Sequence, residues 1–221
     1  MSAEIRPQDR SGALAAVAAL ADPSRRAVYD FVLAEGEPVS RDRTAEALGL
    51  VRATAAFQLD RLAAEGLLAV SYQRLTGRTG PGSGRPTKLY SAAAGEFSVS
   101  VPERRYDVAA EVLAAAVEES LATGSPVAAC LGREAASAGR RMAAAGELHA
   151  VLRDYGYEPE SDGSGNIVLR NCPFHRLARA HTDVVCGLNR DLLGAAVESD
   201  PQLRADLDPA PGRCCVVIRR S

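Results

Sequence analysis

Cys172, His175, His181 and Cys186 lie within the segment NCPFHRLARAHTDVVCGLNRDLL, and Cys214 and Cys215 follow near the end of the 221-residue chain. Thiolate and imidazole are soft or borderline ligands, so the chemistry they suit is zinc or an iron–sulfur centre rather than magnesium or calcium. Four of the five cysteines fall in the last quarter of the chain. An unbroken helix would separate His175 from Cys186 by eleven residues, about 16 Å at the usual rise, too far to share an ion. A break at His181 resolves this, with Thr182 and Asp183 able to cap a second helix and Cys186 in its first turn, where the helix dipole favours a thiolate. Cys172 is expected at the end of a strand. If the flanking hairpins share one sheet, Cys214 or Cys215 comes alongside it, and strand alternation turns one of that pair inward. Structural zinc, thiol redox sensing and simple burial of small residues stay open as readings. Cys130 stands apart on an alanine-rich segment and is expected to be buried and inert.

A second group could read nucleic acid. Ala45 to Gly49 followed by Val51 to Leu62 has the grammar of a helix-turn-helix, with Gly49 at the turn. Ala55, Leu59 and Leu62 form the inner stripe, which leaves Arg52, Thr54, Phe57, Gln58 and Arg61 on or near the outer face. Arg reads guanine, Gln reads adenine, and Thr or Phe touches a thymine methyl. Downstream, Arg74, Arg78, Arg85 and Lys88 lie in a stretch from Leu67 to Gly95 without a single acid. A glycine-rich hairpin carrying these bases suits a phosphate backbone or a minor groove. The bland alternative makes the same helix a solvated face of a protein-interaction module.

The elements that must position these residues follow from pattern. Gly12–Ala21, Ser24–Glu35, Ser40–Leu48 and Arg52–Glu65 are helical by spacing, Pro23 marks a stop and restart, and Ser40 is a cap. Leu67–Arg74 and Lys88–Ala92 are strands. Asp107–Ala122, Pro126–Ala144 and Glu147–Tyr155 are helices, ended at Gly124 and Gly146 for the first two. Ile167–Leu169 and Cys215–Ile218 are branched apolar strands, each with a weaker strand before it across a glycine turn, and Phe174 to Glu198 between them is helical. The expected fold is α+β: a winged helix-turn-helix domain over residues 1–98, then residues 99–221 with a helical connector and a mixed α+β domain of two β-hairpins.

The net charge of −2 excludes binding nucleic acid by bulk charge, so contact must be local. No run of about 18 apolar residues and no secretion-type N-terminus is present, which predicts a cytoplasmic protein without membrane contact. Neither a Ser-His-Asp arrangement, a phosphate-cradling loop nor HExxH occurs, so no enzyme is expected.

LADPSRRAVYDFVLAEG, the helix-turn-helix, GLLAV and GRPTKLY together resemble the ArsR-type winged-helix repressors over roughly residues 12–95. The CPF segment at Cys172, Cys186 and a cysteine near the C-terminus further resemble the SufR-like iron–sulfur repressors of cluster-assembly operons. That resemblance implies a [4Fe-4S] cluster on Cys172, Cys186 and Cys214 or Cys215, whose state governs binding to double-stranded operator DNA. Some members carry a further cysteine before CPF; Val168 to Asn171 offers none, so His175, His181 or the second C-terminal cysteine would complete the set. Paired recognition helices imply a homodimer, with Gly12–Ala21 and Asp107–Ala122 as its seam. A small organic effector in the C-terminal domain is the alternative.

Overall fold

The computed structural model describes residues 10–73 and 86–220 and is mixed α+β with two small antiparallel sheets. It divides into two compact units between Val99 and Ser100.

In the first unit, α1 (Arg10–Ala19) and α2 (Pro23–Glu35) are separated where Asp22 caps α2, its side chain accepting from the Arg25 N–H at 2.8 Å. Proline at the first helical position costs nothing because its missing N–H would have no partner there. Ser40 caps α3 (Arg41–Leu48), its hydroxyl accepting from Arg43 N–H at 3.1 Å. Gly49 at φ 62° closes α3, with Leu50 N–H reaching back to the Ala45 carbonyl at 2.9 Å, and α4 (Arg52–Ala64) begins three residues after Gly49. β2 (Leu68–Gln73) and β3 (Thr87–Ala92) pair in register from Leu68 opposite Ala92 to Gln73 opposite Thr87. A two-residue strand, β1 (Val39–Ser40), adds to β3 and completes the order β1-β3-β2. It is too short to show any periodicity, and the sequence reading has no counterpart for it. Ala16, Val28, Val32, Leu59, Leu62, Leu68 and Tyr90 form the core beneath these elements. Arg74, Arg78 and Arg85 lie outside the described residues.

In the second unit, α5 (Tyr106–Thr123), α6 (Val127–Ala143) and α7 (Leu148–Asp154) precede β4 (Pro159–Ser161) and β5 (Ile167–Leu169). The chain then forms α8 (His175–Ala180), α9 (Thr182–Ala196), β6 (Leu203–Leu207) and β7 (Val216–Arg220). The hairpins β4–β5 and β6–β7 join through β5 and β7, Ile167 opposite Ile218, into one sheet of order β4-β5-β7-β6. Leu188, Leu192 and Leu193 of α9 pack with Met142 of α6 and with Leu169, Val216 and Ile218 of the sheet. This joins helix layer to sheet and fixes where α9 can present Cys186. The core-facing residues of α5 are Val108, Ala109, Val112 and Ala116, so that helix is built into the second unit, while its Val117 and Leu121 stay exposed. No described helix is long and apolar enough to cross a membrane.

Candidate functional site

Cys172, Cys186, Cys214 and Cys215 all line one cavity of about 340 Å³, together with His175, Ala178, Arg179, Thr182 and Arg213. Three sequence-distant pieces converge to make it. The first is the turn after β5, which carries Cys172. The α8–α9 break supplies the second: His181 at φ −136° ends one helix and precedes the next, with Cys186 one turn further along α9. The third is the approach to β7, held by the Cys214 N–H donating to the Leu169 carbonyl at 2.8 Å. His175 sits exposed at the cavity's edge, and His181 is exposed and does not line it.

The thiols lie beside one another in sequence round the cavity, Cys172 beside Cys214, Cys214 beside Cys215 and Cys215 beside Cys186. Among the described residues no three His, Cys, Asp or Glu side chains converge as ligands of a single ion would. The hydrogen bond to Cys214, then burial, pushes the Cys172 thiol far up. Cys214 is drawn down by the bond from Cys172, but its own bond to Cys215 and its burial prevail, leaving it at about 11. Burial also raises Cys186. This corrects the expected thiolate: Cys186 is the fifth residue of α9, past the first turn, and desolvation outweighs what the helix dipole supplies there. Thr182 and Asp183 do not cap α9 either, since Thr182 donates back to the Ala178 carbonyl at 2.8 Å. A further correction concerns the C-terminal pair. Cys214 and Cys215 both line the cavity because they precede β7, where the backbone bends and strand alternation has not begun.

Sequence reasoning missed the residues that support this site. Asn189, 1% exposed, donates from Nδ2 to Cys214 Sγ at 3.2 Å while its Oδ1 accepts from the buried Tyr157 hydroxyl. The signal was a lone amide among Val185, Leu188 and Leu192 on the apolar face of α9. Asn189→Ala would leave the Tyr157 hydroxyl without that partner and is expected to cost about 1–3 kcal/mol, read by urea unfolding, against near-neutrality if the amide is dispensable. Arg213, beside the cysteine pair, was also missed; its Nη1 is buried without a hydrogen-bond partner among the described residues. Cys130 is fully buried on α6, beside Arg133 and away from the cavity, where burial above all, then Glu119, raises its thiol.

In the first unit Arg52, Thr54, Phe57 and Arg61 are exposed on α4, Phe57 by 62%. Phe57 and Arg61 are one turn apart on one face. Gln58 departs from the expected outer face: it is buried, and its Oε1 accepts from Arg25 Nε at 2.8 Å. Three residues after Ala55, it belongs to the inner stripe by the same spacing that places Leu59 and Leu62 there. Arg52 pairs with Asp42, and Arg61 with Glu65 at 2.7 Å. Lys88 is held by Asp60 at 2.5 Å, which also accepts from the Tyr90 hydroxyl at 2.6 Å and from Arg41 at 3.1 Å. Burial alone would raise the Asp60 carboxyl, but the hydrogen bonds from Lys88 and Tyr90 and the charge of Arg41 hold it below its usual value. A polar cleft of about 490 Å³ opens here, lined by Arg41, Asp42, Arg52, Tyr72, Pro86, Thr87 and Lys88.

Comparison with protein-family models, with curated proteins and with solved structures finds no match.

Proposed function

We propose that this chain is a cytoplasmic DNA-binding regulator, a repressor of the ArsR and SufR-like kind, whose first unit is a winged helix and whose second holds a cysteine-ligated [4Fe-4S] centre. The convergence of four cysteines from three separated segments on one cavity carries the reading. Thiols gathered for packing alone have no reason to choose each other. The donor set fits an iron–sulfur cluster, which takes four cysteine thiolates, and the orphaned Arg213 Nη1 fits an anionic group. Structural zinc on the same thiols is the weaker reading, because among the described residues no three of them converge as ligands of a single ion would. When bound, the cluster supplies a redox-responsive centre; the chain's own part is to give up the thiol protons and to hold Cys214 through Asn189.

On the DNA side, the α3–turn–α4 arrangement, the exposed Phe57 and Arg61 and the paired β2–β3 support a recognition helix with a wing. Cluster state would alter operator affinity by its differential binding free energy for two conformations of a homodimer. The exposed Leu14 and Val17 of α1 and Val117 and Leu121 of α5 are the surfaces we propose for the seam.

The test is enrichment of duplexes from a randomised pool by protein purified without oxygen, with iron and sulfide analysis alongside. An enriched site with salt-sensitive affinity supports the reading, and no enrichment with either cluster-loaded or cluster-free protein overturns it. On an enriched site, Phe57→Ala and Arg61→Ala are each expected to weaken binding at least about tenfold in fluorescence anisotropy. Gln58→Ala should act on stability instead. Unchanged affinity in both surface variants would remove α4 as the reading helix.

A further inference from the structure

We infer that Arg213 is the counter-charge of the cysteine centre, its free guanidinium N–H donating to a sulfur of the anionic group that the four thiolates hold. The inference rests on the iron–sulfur reading above and deepens it. Arg213 lies on the β6–β7 connection, next to Cys214. That connection is closed at its base by the Asp208 N–H donating to the Cys215 carbonyl at 2.8 Å. Asp208 grips Arg213 from one side, Nη2 to Oδ2 at 2.9 Å, and is itself held by Arg219 Nη2 at 2.6 Å. The fork is therefore anchored through Nη2, while Nη1 is buried with no hydrogen-bond partner among the described residues, on a side chain that lines the four-cysteine cavity.

A guanidinium keeps its charge and presents five donors, so a buried N–H without a partner is costly. A salt bridge to Asp208 alone would be served as well by an arginine turned outward. Neutral thiols are poor acceptors; four thiolates around a cluster carry the negative charge that a charge-assisted hydrogen bond needs. Hydrogen bonds and net charge around the sulfurs are among the levers that set a cluster's reduction potential. Arg213 thus stabilises the more negative, reduced form and raises the potential at which the centre takes an electron.

The test compares wild type, Arg213→Met and Arg213→Lys after anaerobic reconstitution, by iron and sulfide content, redox titration of the visible absorption, and the rate of iron loss to a chelator. Arg213→Met is expected to shift the potential to a more negative value and to lose iron several-fold faster, with Arg213→Lys between it and wild type. Matching melts of the metal-free proteins by circular dichroism exclude a merely structural effect. If Arg213→Met does not fold, Arg213→Lys carries the comparison, since its point charge lacks the fork. Wild type that takes up no iron and sulfide overturns the reading of the site. Wild type that loads normally, with variants of unchanged potential and iron loss, overturns the role of Arg213 alone.

Discussion

Gly139→Ala is expected to destabilise the second unit by more than about 2 kcal/mol, although alanine is the better helix former by about 1 kcal/mol. Gly139 is buried in α6 where it crosses α9. A Cβ there would lie 2.0 Å from the Leu192 carbonyl oxygen, 2.9 Å from its carbon and 3.1 Å from the Ala195 Cβ. The first two obstacles are backbone, so no rotamer change relieves them; the helices must part, and overpacking of this kind costs about 1–3 kcal/mol or more. Parting α6 from α9 also shifts the helix that carries Cys186 and Asn189. Gly187 of α9 is the internal control, because a Cβ there meets nothing within 4 Å. Gly187→Ala should therefore gain up to about 1 kcal/mol from helix propensity. Urea unfolding of both variants decides: equal midpoints for Gly139→Ala and wild type would refute the close crossing.

The same residue type thus has opposite meanings at two helical positions, and spacing cannot distinguish them. What was legible in the sequence was local. Asp22, Pro23 and Ser40 mark helix starts because capping and the first turn are chemistry between near neighbours. Gly124, at φ 71°, marks the end of α5 for the same reason. The weak strands before Ile167 and Cys215 were legible from their glycine turns, and β4 and β6 stand there. Convergence of Cys172 with Cys214 or Cys215 followed from supposing that the two hairpins share a sheet, and β5 pairs with β7.

Tertiary relations were not legible. Arg213 beside a cysteine pair is one more surface base until Asp208 holds its other nitrogen. Gln58 carries chemistry suited to adenine, yet its oxygen already serves Arg25, a partner 33 residues away. Lys88 counted as a free wing base until Asp60, on the helix before the hairpin, closed on it. In each instance the partner, and not the residue type, decides what the side chain is available for.

On the proposed iron–sulfur reading, Cys172→Ser is expected to abolish retention of iron and sulfide, the largest effect any single substitution here should have. Cys172 is buried and lines the cavity with Cys214, and serine offers no thiolate to a soft metal. Cys186→Ser and Cys214→Ser should behave alike, since on that reading each removes a ligand and leaves an open coordination position. Cys215→Ser separates two ligand schemes: loss of the cluster makes Cys215 the fourth ligand, whereas full retention passes that role to another group, with His175 the nearest at the cavity's edge. Cys130→Ser is the control and should load like wild type, because Cys130 lies on α6 outside the cavity. Uptake of zinc without sulfide by wild type would replace the cluster with a structural ion on the same residues. A coupling of about 1–3 kcal/mol between cluster and DNA would separate loaded from cluster-free wild type by about 5–150-fold in operator affinity. Cys172→Ser should then bind the operator like cluster-free wild type under every condition of reconstitution. A variant that lost its iron yet kept the affinity of loaded wild type would uncouple the cysteine centre from the proposed DNA binding.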